Sequence, residues 1–180
     1  MKSPLLALLL CAAAVSGAAH AASPEAKAAY AAAKDAAKAQ YKLDRARCDS
    51  VTGNPKDVCV AEAQAARVHA EADASAQYHN TLRAYTEART DIAKANYTLD
   101  KTRCAALTGN DADVCVKRAK ATETAALADA KADKKVIEAR SSAREDKRIA
   151  EYKVATEQCD AFAGPAKDNC VKAAKSQFGY

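Results

Sequence analysis

Cysteine is the residue type in this sequence with the widest chemistry, because thiols form disulfides, ligate metals and act as nucleophiles. Six of the seven cysteines form three pairs, each enclosing ten residues: Cys48 and Cys59, Cys104 and Cys115, Cys159 and Cys170. Redox-active dithiols are usually only two residues apart, and a zinc site would need two further ligands beside each pair. Since no histidine or extra cysteine lies nearby, the spacing predicts three structural disulfides, each within its own pair.

The remaining residues show no catalytic, cofactor-binding or metal-binding constellation. His69 and His79 are separated by about three helical turns, which is too far for them to share one metal ion. Carboxylates alternate with lysines and arginines, as solvated helix faces do, and no two glycines lie close enough to cradle a phosphate. We therefore expect a protein that is not an enzyme and that needs no cofactor.

The N-terminal residues have the layout of a secretory signal peptide. Met1-Lys2 supplies a positive start, Leu5 to Val15 is apolar, and Ala19-His20-Ala21 offers small residues for cleavage before Ala22. The apolar run, which contains the seventh cysteine, Cys11, is about half the roughly 20 residues that a membrane span needs. The sequence thus predicts a signal peptide at 1–21, a periplasmic or secreted mature chain at 22–180, and no transmembrane span in that chain.

Three repeats organise the mature chain, with corners at 48–59, 104–115 and 159–170. Their first cysteines are 56 and then 55 residues apart, and Tyr41, Tyr97 and Tyr152 each precede one of them by seven residues. Each corner contains a helix stop followed by a helix start. We expect Gly53, Gly109 and Gly164 to end the incoming helices, Gly53 and Gly109 with positive φ, and Asn54 and Asn110 to cap the outgoing ones.

The breakers predict the helices that connect these corners. Glycine and proline in the mature chain occur only at the corners and the termini, and alanine, the best helix former, is abundant. We predict a single all-α domain, an elongated coiled coil of antiparallel hairpins, with helices at 24–52, 55–108, 111–163 and 166–178. The sequence leaves open whether the two long helices are continuous, and Ser141-Ser142 is the best candidate for a break without glycine or proline.

Pairing of the two long helices would place the first and third corners together at one end. The second corner would then form the tip of a two-helix arm. Each tyrosine lies two helical turns from its cysteine on the same face, so we expect Tyr41 to pack on Ala66 and Tyr97 to pack on Thr122.

The charge of the chain argues against nucleic acid as a partner. The formal net charge is +5, and acidic and basic residues are interleaved rather than gathered into the basic patch of a nucleic-acid-binding protein. Export would also remove the chain from cytoplasmic nucleic acid. We expect a protein partner in the cell envelope, and the sequence does not decide between a monomer and a homo-oligomer.

The leader, the alanine- and lysine-rich helices such as Ala33-Lys34-Asp35-Ala36-Ala37-Lys38-Ala39, and the repeated tyrosine-cysteine pattern resemble a group of small secreted proteobacterial proteins. These are often labelled cell-envelope biogenesis or TolA-like proteins, after the helical middle segment of TolA. The resemblance is largely one of composition, and the cysteine corners are not part of TolA. What it implies is a helical rod in the periplasm.

We therefore expect a non-enzymatic protein of the periplasm or cell envelope that acts as a spacer, an adaptor or a chaperone-like binder. Two alternatives remain open. One is a periplasmic metal- or ligand-handling protein, and the other is a small inhibitor of a secreted enzyme.

Overall fold

The computed structural model describes residues 23–180, and every regular element in that range is helical. Five α-helices follow one another: α1 (Pro24–Arg47), α2 (Asn54–His79), α3 (Leu82–Cys104), α4 (Gly109–Gln158) and α5 (Pro165–Phe178). One 3₁₀ turn extends α1 (Cys48–Ser50), and another extends α4 (Cys159–Ala161). The all-α fold is confirmed. The predicted signal peptide, residues 1–21, lies outside the described residues.

The helices form an open antiparallel array rather than a closed bundle. Each helix packs on its neighbours in the chain, and within residues 23–180 no contact joins α1 to α3 or α2 to α4. Among residues 23–180 the buried apolar side chains are all alanines and cysteines, and the largest that are fully buried are Cys48, Cys104 and Cys159. Because alanine is short, the helices approach closely but bury little apolar volume, so the disulfides carry much of the stabilisation.

A chain reversal at Asn80 corrects the expectation of one helix over 55–108. Asn80 ends α2 with φ 44°, in the left-handed region, and its N–H donates to the Ala76 carbonyl at 2.9 Å. The Thr81 side chain then accepts from the Ala84 N–H at 3.1 Å and caps α3. Asparagine tolerates the left-handed conformation and threonine is a good N-cap. The two residues can therefore end one helix and start the next without the glycine and proline that are found at the corners.

The extra reversal moves the corners and overturns the expected pairing of the first and third. The first and second corners now lie together: the Asn54 side chain donates to the Thr102 carbonyl at 2.9 Å, and Arg103 pairs with Glu62 at 2.8 Å. The third corner contacts α4 alone, at the far end of a helix of 50 residues that is about 75 Å long. The second corner is therefore not the tip of an isolated arm.

The continuity of the second long helix, which the sequence left open, is settled at Ser141-Ser142, since α4 runs through both residues without interruption. Alanine, lysine and arginine surround the two serines, and these residues favour the helix enough to carry it past a weak position.

Candidate functional site

Three disulfides with the predicted pairing join the two helices of each corner: Cys48–Cys59, Cys104–Cys115 and Cys159–Cys170. In all three the Cα atoms are 5.6 Å apart, a usual separation for a disulfide. The first cysteine of each pair is fully buried and the second is half-buried. The sulfurs are therefore structural crosslinks and do not present reactive thiols.

The corner glycines start the outgoing helices, which differs from the role expected of them. Gly53 and Gly164 are the residues immediately before α2 and α5, with φ 64° and 56°, and Gly109 is the first residue of α4, with φ 57°. The Gly53 carbonyl accepts from the N–H groups of Lys56 and Asp57. The positive φ expected at Gly53 and Gly109 is present.

The capping role expected of Asn54 and Asn110 is wrong. Both lie inside the first turn of a helix, because the cap positions are taken by Gly53 and Thr108. The Asn54 side chain instead donates to the Thr102 carbonyl near the end of α3, which also accepts from the Ala105 N–H at 3.2 Å. Asn54 thus ties the first corner to the second.

The first and third corners each contain an ion pair between their two helices, and the second corner lacks the residues for one. Asp49 lies 2.9 Å from the Lys56 ammonium, and Asp160 lies 2.7 Å from that of Lys167. The hydrogen bond from Lys56, assisted by Arg45, lowers the pKa of the Asp49 carboxyl below its ordinary value. The hydrogen bond to Asp160 raises the pKa of Lys167. The matching positions in the second corner are Ala105 and Ala112.

The repeated tyrosines are covered by long cationic or aromatic side chains rather than by the small residues we expected. Arg67 lies over the Tyr41 ring, with its guanidinium carbon 5.1 Å from the ring centroid, and the Lys120 ammonium lies 5.0 Å from the centroid of Tyr97. Ala66 and Thr122 are exposed. A cation attracted by the ring quadrupole covers a ring face that a methyl group cannot.

The third tyrosine anchors an aromatic cluster at the C-terminus. Tyr152 lies 4.4 Å from Tyr180 and 6.1 Å from Phe178 between ring centroids. Arg148 lies over Tyr180, donates to the Phe178 carbonyl and pairs with Glu145. The cluster fastens the end of α5 to α4.

Each corner exposes a large apolar side chain at the same position of its repeat, a feature that the sequence analysis missed. Val51, Leu107 and Phe162 are 38%, 44% and 53% exposed, and each lies three residues after the first cysteine of its pair. An apolar residue at the same position of every repeat was the available signal. A disulfide-braced turn holds each of these side chains in solvent.

One concave surface of the array is a groove above α2, between α1 and α3. Its volume is about 510 Å³, and we call it the α2 groove. The floor comes from α2 and includes Ala61, Ala65, Val68 and Ala72. Ala65 and Ala72 are buried at 5% and 8% exposure, so the half-buried Ala61 and Val68 form the accessible part of this floor. Sequence reasoning could not find the groove because it depends on the unpredicted reversal at Asn80.

Charges of both signs line the α2 groove. Lys34 comes from α1, Glu71 from α2, and Asp91 and Lys94 from α3. Arg67 holds two of the lining side chains in place, since it donates to Gln64 at 3.3 Å and pairs with Glu71 at 3.5 Å. The mixed charge suits a polar, zwitterionic partner surface better than a uniformly charged polymer.

One end of the α2 groove is aromatic. Tyr30 stacks on Tyr78 with 4.6 Å between centroids and an interplanar angle of 6°, and His79 packs edge-on against both. The Lys34 ammonium lies 5.2 Å from the Tyr30 centroid. The other histidine, His69, hydrogen-bonds Asn96 at 2.8 Å between α2 and α3. Both histidines thus make packing contacts between helices.

Two further properties bear on the site. Over residues 23–180, no group of three or more histidine, cysteine, aspartate or glutamate side chains is placed to hold a metal ion. None of the helices in that range is both long enough and apolar enough to cross a membrane.

Comparison of the chain with protein-family models, with curated proteins and with solved structures finds no match.

Proposed function

We propose that this protein is a non-enzymatic binder of polypeptide segments in the periplasm or cell envelope, acting as an adaptor or in a chaperone-like role. The observation that carries the proposal is the α2 groove, an open channel with a floor of small side chains and a rim of both charges. A helix with an apolar or small-residue stripe suits such a groove, because its backbone can lie close to that of α2.

The openness of the groove favours binding over catalysis. Enzyme sites surround their substrates and exclude water, which strengthens the electrostatic interactions that stabilise a transition state. The α2 groove is solvated along its length and offers a surface to an extended or helical chain. The residues we expect to touch the partner are Val68 and Ser75 in the floor, with Lys34 and Asp91 at the rims.

The proposed compartment rests on the disulfides and on the leader. Disulfides persist in oxidising compartments such as the periplasm and are rare in the cytosol of most organisms. A stapled helical array also agrees with the envelope rod implied by the resemblance to TolA-like proteins. The elongated α4 would let the protein span a distance between two partners, as a spacer does.

Photo-crosslinking in cells tests the proposal. A photoreactive phenylalanine analogue at Val68 or Ser75 should give adducts with an exported protein, and the partner's crosslinked peptide should be helical in character. The same probe at Ala66, which is exposed on the side of α2 away from the groove, is the matched control. Equal labelling from Ala66 and Val68, or none from Val68, would contradict binding in the groove.

The inhibitor alternative gains support from the exposed side chains at the corners. An inhibitor gains affinity from a rigid apolar side chain that is already in its bound conformation, and Leu107 on its stapled corner is such a side chain. A probe at Leu107 distinguishes the two functions. Adducts with a secreted enzyme from Leu107 and none from Val68 would favour the inhibitor.

A further inference from the structure

One side of α4 is open along its whole length. Among residues 23–180, α4 contacts only α3, α5 and the 3₁₀ turn that follows it. Ala119, Glu123 and Ala130 are buried toward α3, and Tyr152 contacts the end of α5. At 3.6 residues per turn, the positions used by α3 and α5 lie on about the same side of α4. The opposite side meets solvent.

In the first repeat, the side of α2 that corresponds to the open side of α4 is packed on α3. In α2 the matching positions are Ala65, Ala72 and Ala76, which are buried at 5%, 8% and 3% exposure, with Ala72 and Ala76 in one cluster with Ala88 of α3. Adding the repeat length of 56 residues gives Ala121, Ala128 and Ala132 in α4, all of them exposed. The same alanines are thus covered in one repeat and bare in the next.

The second half of α4 is the repeat copy of α3, the helix that covers α2. Val154 matches Leu99, which is half-buried, yet Val154 is 59% exposed. Residues 138–158 also have nearly the length of α3. The chain therefore contains both halves of a second α2–α3 type interface, and neither half is packed.

The straight course of α4 prevents the two halves from meeting within one chain. The positions that match Asn80 and Thr81 are Val136 and Ile137, which lie in continuous helix. β-Branched residues resist the left-handed conformation that Asn80 adopts at the reversal. A second copy of the chain can supply what the first cannot, because two antiparallel α4 helices bring each half against its complement.

We propose that α4 mediates a symmetric dimer, in which the bare alanine side of each copy is covered by the second half of α4 from the other. The interface is isologous, and each copy donates its C-terminal arm to the other, as in domain swapping. Each half of the dimer is then one continuous array of packed helices. It contains α1, α2, α3 and the first half of α4 from one copy, followed by the second half of α4 and α5 from the partner. The array then has six helices and no bare alanine side on α4.

The register of α2 on α3 predicts a charge pair in the dimer. Glu62 with Arg103 and His69 with Asn96 fix that register, and it places Asp73 opposite Ile92. The repeat offsets of 56 and 55 residues convert this pair into Asp129 opposite Lys147 of the partner subunit. Both residues are exposed in the single chain, their charges are opposite, and the two-fold axis falls close to Glu138.

Sedimentation equilibrium of the mature, oxidised chain tests the dimer. We expect a dimer that Ala128→Arg weakens at least tenfold without loss of helicity, because Ala128 is exposed in the monomer. Thr122→Arg is the matched control and should leave the dimer intact, because Thr122 matches Ala66, which stays exposed although α2 is packed on α3. Asp129→Lys and Lys147→Asp should each weaken the dimer, and the double variant should restore it.

Distances between spin labels test the arrangement. The labels are attached through a non-canonical side chain so that the disulfides stay intact. Because the separation in an antiparallel pair grows by about 3 Å per residue from the axis, a label at Ser142 should give less than about 20 Å and one at Lys120 about 54 Å. A monomer at all concentrations, a dimer indifferent to Ala128→Arg, or equal distances at the two sites would overturn the proposal.

Discussion

Gly109 begins α4 with φ 57°, in a region that residues with a Cβ enter only at a cost of roughly 1–2 kcal/mol. A Cβ at Gly109 would meet no atom within 4 Å, so conformational strain is the only penalty to substitution. Gly109→Ala should therefore lower the free energy of unfolding by about that amount. It should also leave more free thiol at Cys104 and Cys115 after oxidative folding, because a helix that extends across the corner keeps the two thiols too far apart to be oxidised to a disulfide.

Chemical denaturation and thiol titration measure these two effects. Arg144→Ala, on an exposed stretch of α4, is the control and should change neither. A fully oxidised Gly109→Ala protein of unchanged stability would show that the second corner tolerates another backbone conformation.

Asp49 makes the stability of the first corner sensitive to acid. Its pKa is lowered by the hydrogen bond from Lys56 and then by that from Arg45, so the folded state binds a proton less readily than the unfolded chain. The stabilisation is therefore present above the ordinary pKa of aspartate, about 4, and is lost as the pH falls through the lower folded value. Asp49→Asn should flatten the acid side of the melting temperature profile between pH 2 and 5.

The second corner provides the reverse experiment. Its matching residues are Ala105 and Ala112, so Ala105→Asp with Ala112→Lys installs the missing pair. We expect a small rise in melting temperature that shrinks in high salt, because the pair is exposed and screened. The two single variants complete a double-mutant cycle, and zero coupling energy would mean that the ion pair is incidental to the corner.

At the scale of the helices, Asn80 and Thr81 form the chain reversal that lets α3 pack back on α2. Asn80→Ala should cost roughly 1–2 kcal/mol through left-handed strain, whereas Asn80→Gly should be tolerated. Thr81→Ala removes the side-chain cap of α3 and should cost about 1 kcal/mol. Urea denaturation followed by circular dichroism measures both. Equal effects of Ala and Gly at position 80 would mean that backbone conformation does not govern this reversal.

The corners were predictable from the sequence, while the reversal at Asn80 was not. A cysteine pair, a glycine and usually a proline coincide at each corner, and each residue independently favours a turn. Asparagine and threonine also occur inside helices, so Asn80-Thr81 carries only a weak signal. The packing of Ala72, Ala76 and Ala88 decides the outcome there, and that contact joins residues whose proximity no local pattern encodes.

The α2 groove could not be predicted either, because it also depends on the chain reversal at Asn80. With one helix over 55–108, α1 and α3 would not flank α2, and Val68, Asp91 and Lys94 would not line a common surface. The role of Asn54 was missed for a related reason: its partner, the Thr102 carbonyl, is 48 residues away and reaches it only after the chain has reversed. Placement of the disulfides survived because it depends on each corner alone.

At the scale of the whole molecule, the presence or absence of one reversal determines whether a repeat is compact or extended. The first repeat folds back at Asn80-Thr81, and the second continues straight through Val136-Ile137, leaving both residues 47% exposed. If the α4 dimer is a consequence of this difference, then restoring the reversal should abolish the dimer.

Val136→Asn with Ile137→Thr places the residues of the first reversal at the matching point of α4. Asparagine there permits the left-handed conformation and threonine caps the next helix, so residues 138–158 can fold back onto Ala121, Ala128 and Ala132 of their own chain. We expect a monomer with six helices and a smaller hydrodynamic radius, measured by sedimentation velocity. Val136→Ala with Ile137→Ala removes the same apolar surface but keeps the helix, and should remain dimeric. A grafted protein that stays an extended dimer would show that more than these two residues keeps α4 straight.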